Sequence, residues 1–145
     1  MKKILIIRFS SIGDIVLTSP VIRCLHEQVP GAEIHYLTKE RFNPVLADNL
    51  YIHKLHLLNN NLKELIVALK RENFDYVVDL HKNLRSARVK FTLGKPSGSF
   101  DKLNYEKWLL VNLKINKLPG KHIVDRYFEA VAHLGVKNDN QGLDY

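Results

Sequence analysis

The sequence predicts an α/β fold, a Rossmann-like doubly wound parallel sheet, on three observations. Short apolar runs recur along the chain, amphipathic segments separate them, and polar loops follow the runs ending near Arg8, Leu37 and Leu80. Runs that are apolar throughout belong to strands buried on both faces. Strands alternating with helices imply parallel pairing through right-handed crossovers, with helices on both sides of the sheet.

The first run, Lys3 to Arg8, reads as a strand. Ile15, Val16, Val21, Ile22, Leu25 and Val29 then recur near helical period up to Pro30-Gly31. Pro20 interrupts this segment, so either one helix starts near Asp14 and kinks, or a helix restarts with Ser19 as N-cap and Pro20 at its first position. Ala32 to Leu37 is the second strand and Arg41 to Asn49 a short helix. Ile52, Leu55 and Leu57 mark a third strand, and Asn61 caps an amphipathic helix carrying Leu62, Leu65, Ile66 and Leu69. Phe74 to Leu80 is the clearest strand, and it leads through His81-Lys82-Asn83 into another helix. The turn-rich stretch Gly94 to Ser99 suits a short edge strand. Helical segments follow at Tyr105 to Leu113 and His122 to Leu134. Residues 1–136 thus form one domain, and the apolar-poor tail 137–145 reads as a linker or disordered end.

Composition narrows the function classes. A chain of 145 residues buries enough surface to fold without disulfide or metal. The single cysteine, Cys24, excludes an internal disulfide and any Cys-x-x-Cys zinc or redox site, and fits a reducing, cytoplasmic setting. The run Ile4 to Ile7 is too short for a signal h-region or a membrane span. A net charge of +7 favours anionic partners: nucleic acid, acidic lipid or phosphorylated sugar. Aromatic residues interleaved with arginine, which a base-stacking platform needs, are too few, so nucleic acid stays a weak option.

Ligands of open parallel sheets bind beyond the carboxyl ends of the strands, which directs attention to the loops there. Ser10-Ser11-Ile12-Gly13-Asp14 lacks the three glycines of a dinucleotide fingerprint and the G-K-[ST] ending of a P-loop. It offers a carboxylate at a helix start beside two hydroxyls. Asp14 is then either a helix-capping charge or a general base, with Gly13 admitting a substrate close to the backbone. After the clearest strand, Lys82 and Arg85 suit a phosphate or carboxylate, or simply line a solvated helix start. His122, Asp125 and Arg126 read as a surface face. His53 and His56 are three apart on a strand and point to opposite faces, and the other histidines fall in separate elements, so no metal site is expected. No G-x-S-x-G elbow occurs for a serine nucleophile.

Three segments together resemble the N-terminal half of family 9 glycosyltransferases, the ADP-heptose:lipopolysaccharide heptosyltransferases: Arg8 to Pro20, Pro30 to Ile34, and Phe74 to Ser86. The Ser-Ser-x-Gly-Asp-x-x-x-Thr-x-Pro stretch is the most specific, and Lys121-His122 to Asp125-Arg126-Tyr127 is similar in a less distinctive way. The resemblance implies a GT-B fold, with acceptor bound mainly by this half and nucleotide sugar by a second half that has no counterpart in these residues. It implies inversion at the anomeric carbon without a catalytic metal or other cofactor. Asp14 becomes the general base, Ser10, Ser11 and Gly13 shape its loop, Thr18 supports it, and Lys82 and Arg85 contact the acceptor.

The expected whole is an enzyme moving heptose from ADP-heptose to the lipopolysaccharide inner core. It would be cytoplasmic with peripheral contact to the inner membrane, and this chain would be inactive alone. An uncovered face would favour a homodimer. The competing reading is a noncatalytic basic module that binds anionic glycolipid or membrane.

Overall fold

The computed structural model describes residues 3–9, 12–59, 61–81, 83–99, 127–137 and 139. Ser10, Ser11, Lys82, the expected helix Tyr105 to Leu113 and the His122, Asp125 and Arg126 cluster lie outside them.

Five strands form one parallel sheet: β1 (Lys3–Ile7), β2 (Glu33–Lys39), β3 (Lys54–Leu58), β4 (Tyr76–Asp79) and β5 (Ser97–Ser99), in the order β3-β2-β1-β4-β5. The short Ser-Gly-Ser strand stands at the edge, as its turn-rich sequence suggests. Side chains alternate across the pleat, so each central strand feeds two cores. Ile4 and Ile6 meet Ile34, Tyr36, Tyr76 and Val78 on one face, while Leu5 and Ile7 meet Leu37 and Val77 on the other. This two-sided burial is why the strands read as continuous apolar runs.

The first face is covered by α1 (Ile12–Leu17), α2 (Ser19–Gln28), α3 (Asn43–Leu46) and a 3-10 helix at Glu129–Leu134. The second is covered by α4 (Leu62–Glu72) and α5 (Leu84–Leu93) through Ile66, Leu69 and Val89. The fold is thus the doubly wound α/β sheet expected.

Several boundaries differ in informative ways. The segment around Pro20 is two helices, and the N-cap of the second is Thr18, one residue before the expected Ser19. Pro20 therefore sits in the first turn, where its missing N–H costs nothing. The short helix expected from Arg41 is a 3-10 turn at Glu40–Phe42 running into α3. Asn61 caps α4 as expected, accepting from the Glu64 N–H at 3.1 Å. Past Val136, where low apolar content suggested a linker, Lys137 and Asp139 are tied to α2. The Asp139 carboxylate receives Nε and Nη2 of the buried Arg23 at 2.9 and 2.7 Å, and Gln28 exchanges two hydrogen bonds with the Lys137 backbone. A buried guanidinium requires such a partner, and nonpolar content does not register it.

Two sites test how the sheet edge is built. Gly98 of β5 lies against the Ala130 backbone and the Tyr76 hydroxyl, so an added Cβ collides with the Ala130 carbonyl. Gly98→Ala is expected to cost about 1–3 kcal/mol, read from a denaturant midpoint. Asn83 and Ser86 form a capping box at the start of α5, and the Ser86 hydroxyl also donates to the fully buried Asp79 at 2.9 Å. Asn83→Ala should cost roughly 1 kcal/mol. Ser86→Ala should cost more, roughly 1.5–3 kcal/mol, because it removes a bond to a buried carboxylate.

Candidate functional site

The site grows from the carboxyl end of β1. Arg8 follows the last residue of that strand and is nine-tenths buried. Its Nη1 donates to the Leu80 carbonyl at 2.8 Å, and its Nη2 lies 2.9 Å from Asp14 Oδ2. The guanidinium also stands 6.0 Å from the centre of the Tyr127 ring. One side chain thereby joins the loop after β1, the end of β4 and the last described helical segment. Asp14 sits in the first turn of α1, where the helix dipole also favours its charge. Its side chain keeps 25% exposure, so the carboxylate is both held and open to the edge of the sheet.

Beneath Asp14 the support is polar and rigid. Thr18 is fully buried, donates to the Ile15 carbonyl at 2.6 Å and shares a 2.9 Å hydrogen bond with the Tyr36 hydroxyl. It therefore braces the α1–α2 junction and has no surface to offer a substrate. Burial pushes the Tyr36 phenol above its usual range; the bond to Thr18 and the Arg8 charge oppose that shift, and Asp14 adds to it. The phenol is a neutral hydrogen-bonding post at neutral pH. Gly13 lies inside α1, and among the described residues nothing comes within 4 Å of an added Cβ.

The loop after β4 is anchored by Asp79. Its carboxylate takes the Ser86 hydroxyl at 2.9 Å, the His81 N–H at 3.0 Å and Lys90 Nζ at 2.9 Å. His81 is turned back toward the first loop. Its Nδ1 accepts a 3.4 Å bond from the Phe9 N–H, and the two rings meet edge to face. Arg85 is exposed and lines an open depression of about 400 Å³ with Lys39, Glu40, Arg41, Leu58 and Asn59. Three cations and one carboxylate at the carboxyl ends of β2 and β3 make this a surface suited to anions.

Of the residues singled out from sequence, Asp14, Gly13 and Thr18 gather around the end of β1, and Arg85 lies on the basic depression. Sequence reading missed Arg8, Tyr36 and His81 as site residues. The signal for Arg8 was its place, a charge ending an apolar run at the edge where parallel sheets bind ligands. Nothing in the spacing connects Tyr36 to Thr18, eighteen residues earlier.

On α5, Leu84 and Phe91 are exposed at 90% and 89%, one heptad apart, with Arg85 and Arg88 beside them. Among the described residues no helix is long and apolar enough to cross a membrane.

Comparison with known proteins gives this geometry a family. Residues 62–145 match the model for glycosyltransferase family 9 (heptosyltransferase), which includes the Asp79 to Ser86 loop and leaves Asp14 outside. The chain is 30% identical over 122 residues to lipopolysaccharide heptosyltransferase 1 of Campylobacter coli, covering 80% of this chain and 36% of that protein. It is 28% identical over 137 residues to lipopolysaccharide heptosyltransferase 3 of Escherichia coli K12, covering 86% and 40%. Among solved structures, E. coli heptosyltransferase WaaC with ADP superposes with a TM-score of 0.72 at 22% identity, over 99% of this chain and 50% of that one. The family 9 glycosyl transferase from Veillonella parvula gives 0.71 at 23%, over 98% and 44%. The chain therefore spans about two fifths of the curated relatives it matches, and its Rossmann-like sheet has the architecture of the N-terminal half of a GT-B fold. By the extent of the family match and by its likeness to the Campylobacter protein, the chain belongs to glycosyltransferase family 9, the heptosyltransferases.

Proposed function

We propose that this chain is the acceptor-side half of an inverting heptosyltransferase and that Asp14 is its general base. The observation that carries the reading is the Asp14 carboxylate, held at the ligand-binding edge of the sheet by a buried Arg8 and still open to solvent. In the reaction, an acceptor hydroxyl attacks the anomeric carbon of ADP-heptose from the face opposite ADP. The new C–O bond forms as the bond to ADP breaks, which inverts the centre, and the hydroxyl proton passes to Asp14. A base serves this step only within hydrogen-bond reach of the hydroxyl, and the ion pair with Arg8 fixes its position.

The acceptor is the lipopolysaccharide inner core, whose phosphates and carboxylates suit the depression lined by Lys39, Arg41 and Arg85. Lys82, three residues before Arg85, and Ser10 and Ser11, shortly before Asp14, enter this reading by their place in the sequence alone. The stripe of Leu84 and Phe91 flanked by Arg85 and Arg88 supports peripheral contact with an anionic membrane face. The nucleotide sugar is bound by residues beyond this half, so the chemistry needs both parts.

Two measurements test this reading. The 145-residue chain alone is expected to give no turnover of ADP-heptose, and measurable transfer by the purified chain would contradict it. When the chain is joined to a donor-side half of the family, Asp14→Asn is expected to lower kcat by at least about 10²-fold with an unchanged circular dichroism spectrum. Near-normal turnover in that variant would remove Asp14 as the base.

A further inference from the structure

At the opposite edge of the sheet from Asp14, β2, β3 and α4 bring three ligand-bearing side chains together. Glu33 and His35 share a face of β2 because they are two residues apart, and that face lies toward α4. His56 pairs in register with Leu37 on the neighbouring strand and points the same way. Glu72 is the last residue of α4, which returns antiparallel to the strands and so ends over their amino ends. Both imidazoles are almost fully buried, with 4% and 5% side-chain exposure, and Phe74 packs edge-on against both rings.

We propose that His35 Nδ1, His56 Nε2 and Glu72 Oε2 form a binding site for a divalent transition metal of the zinc class, with Glu33 as its outer carboxylate. The separations are 2.9 Å between the two nitrogens, 3.3 Å from Nδ1 to Oε2 and 3.8 Å from Nε2 to Oε2. A tetrahedral ion with bonds of about 2.0–2.1 Å holds its ligand atoms roughly 3.3–3.4 Å apart, a value these three distances straddle. His35 Nε2 lies 3.0 Å from Glu33 Oε2. With the Nε2 proton donated to that carboxylate, the Nδ1 lone pair faces His56 and Glu72, which is the carboxylate–histidine–metal arrangement.

The neighbouring lysines leave room for the ion. Lys3 lies against the other carboxylate oxygen of Glu72, Oε1, at 3.7 Å, and leaves Oε2 to the site. Lys54 lies 3.5 Å from Oε2 but is more than half exposed, so an incoming ion can displace it into solvent. The ion would clamp two strands and a helix end, and water would fill its fourth position. This site is independent of the role given to Asp14.

The test is titration of the purified chain with Zn²⁺ by calorimetry and with Co²⁺ by visible absorption. One equivalent is expected to bind, with the d–d bands of a four-coordinate Co²⁺ and a rise in Tm that grows with metal concentration. His56→Gln and Glu72→Gln should each weaken binding at least tenfold, and Glu33→Gln about tenfold. Glu72 is partly exposed and its amide isostere keeps the side-chain shape, so Glu72→Gln decides the matter if His56→Gln does not fold. Absence of saturable binding would overturn the site and leave a hydrogen-bonded histidine pair. Binding that survives Glu72→Gln unchanged would overturn it too, placing the ion on exposed histidines such as His26 or His53.

Discussion

The buried guanidinium of Arg8 is the constraint on which the carboxyl edge of this protein depends. A charge nine-tenths removed from water needs partners, and here Nη1 and Nη2 find them in Leu80 and Asp14, with the Tyr127 ring nearby, while the buried Nε has no hydrogen-bond partner among the described residues. These partners come from three separate stretches of chain. Satisfying one side chain therefore sets the relative positions of the loop after β1, the end of β4 and the segment at Tyr127. The carboxylate proposed as the base is one of the groups that the burial of Arg8 requires.

Asp79 plays the corresponding part for the neighbouring loop. It ends β4 fully buried and collects a hydroxyl, a backbone N–H and an ammonium within 3.0 Å. The capping box of Asn83 and Ser86 then starts α5 at a fixed place, and Arg85 extends from its first turn toward the depression at the ends of β2 and β3. Exposed charge suited to anions thus rests on a buried polar scaffold. The two are linked through His81, which belongs to the Asp79 loop and accepts from the Phe9 backbone of the first.

The fold was legible because burial on both faces leaves a mark that survives in one dimension. Ile4 to Ile7 and Tyr76 to Val78 could hardly be other than central strands, and Asn61 and Asn83 stand before helices for the local reason that their side chains cap them. Asp14 stood out through its setting beside Gly13 and the hydroxyls of its loop, while its ion pair with Arg8 did not. Thr18, read as a support of the Asp14 loop, bonds to Tyr36, a partner from a strand whose position the local sequence does not state. His35 and His56 were kept apart for the same reason. Separate elements exclude contact only until adjacent parallel strands lay them side by side.

The sequence by itself determined the alternation of strands and helices, the positive charge and the residues that resemble family 9. These are properties of period, composition and local capping, which depend on neighbours within a turn or two. Only the tertiary structure decided which polar groups meet. Arg8 found Leu80, Arg23 found Asp139, and His35 found His56 and Glu72, because the cost of burying a charge or an imidazole is settled by whatever the packed chain places beside it.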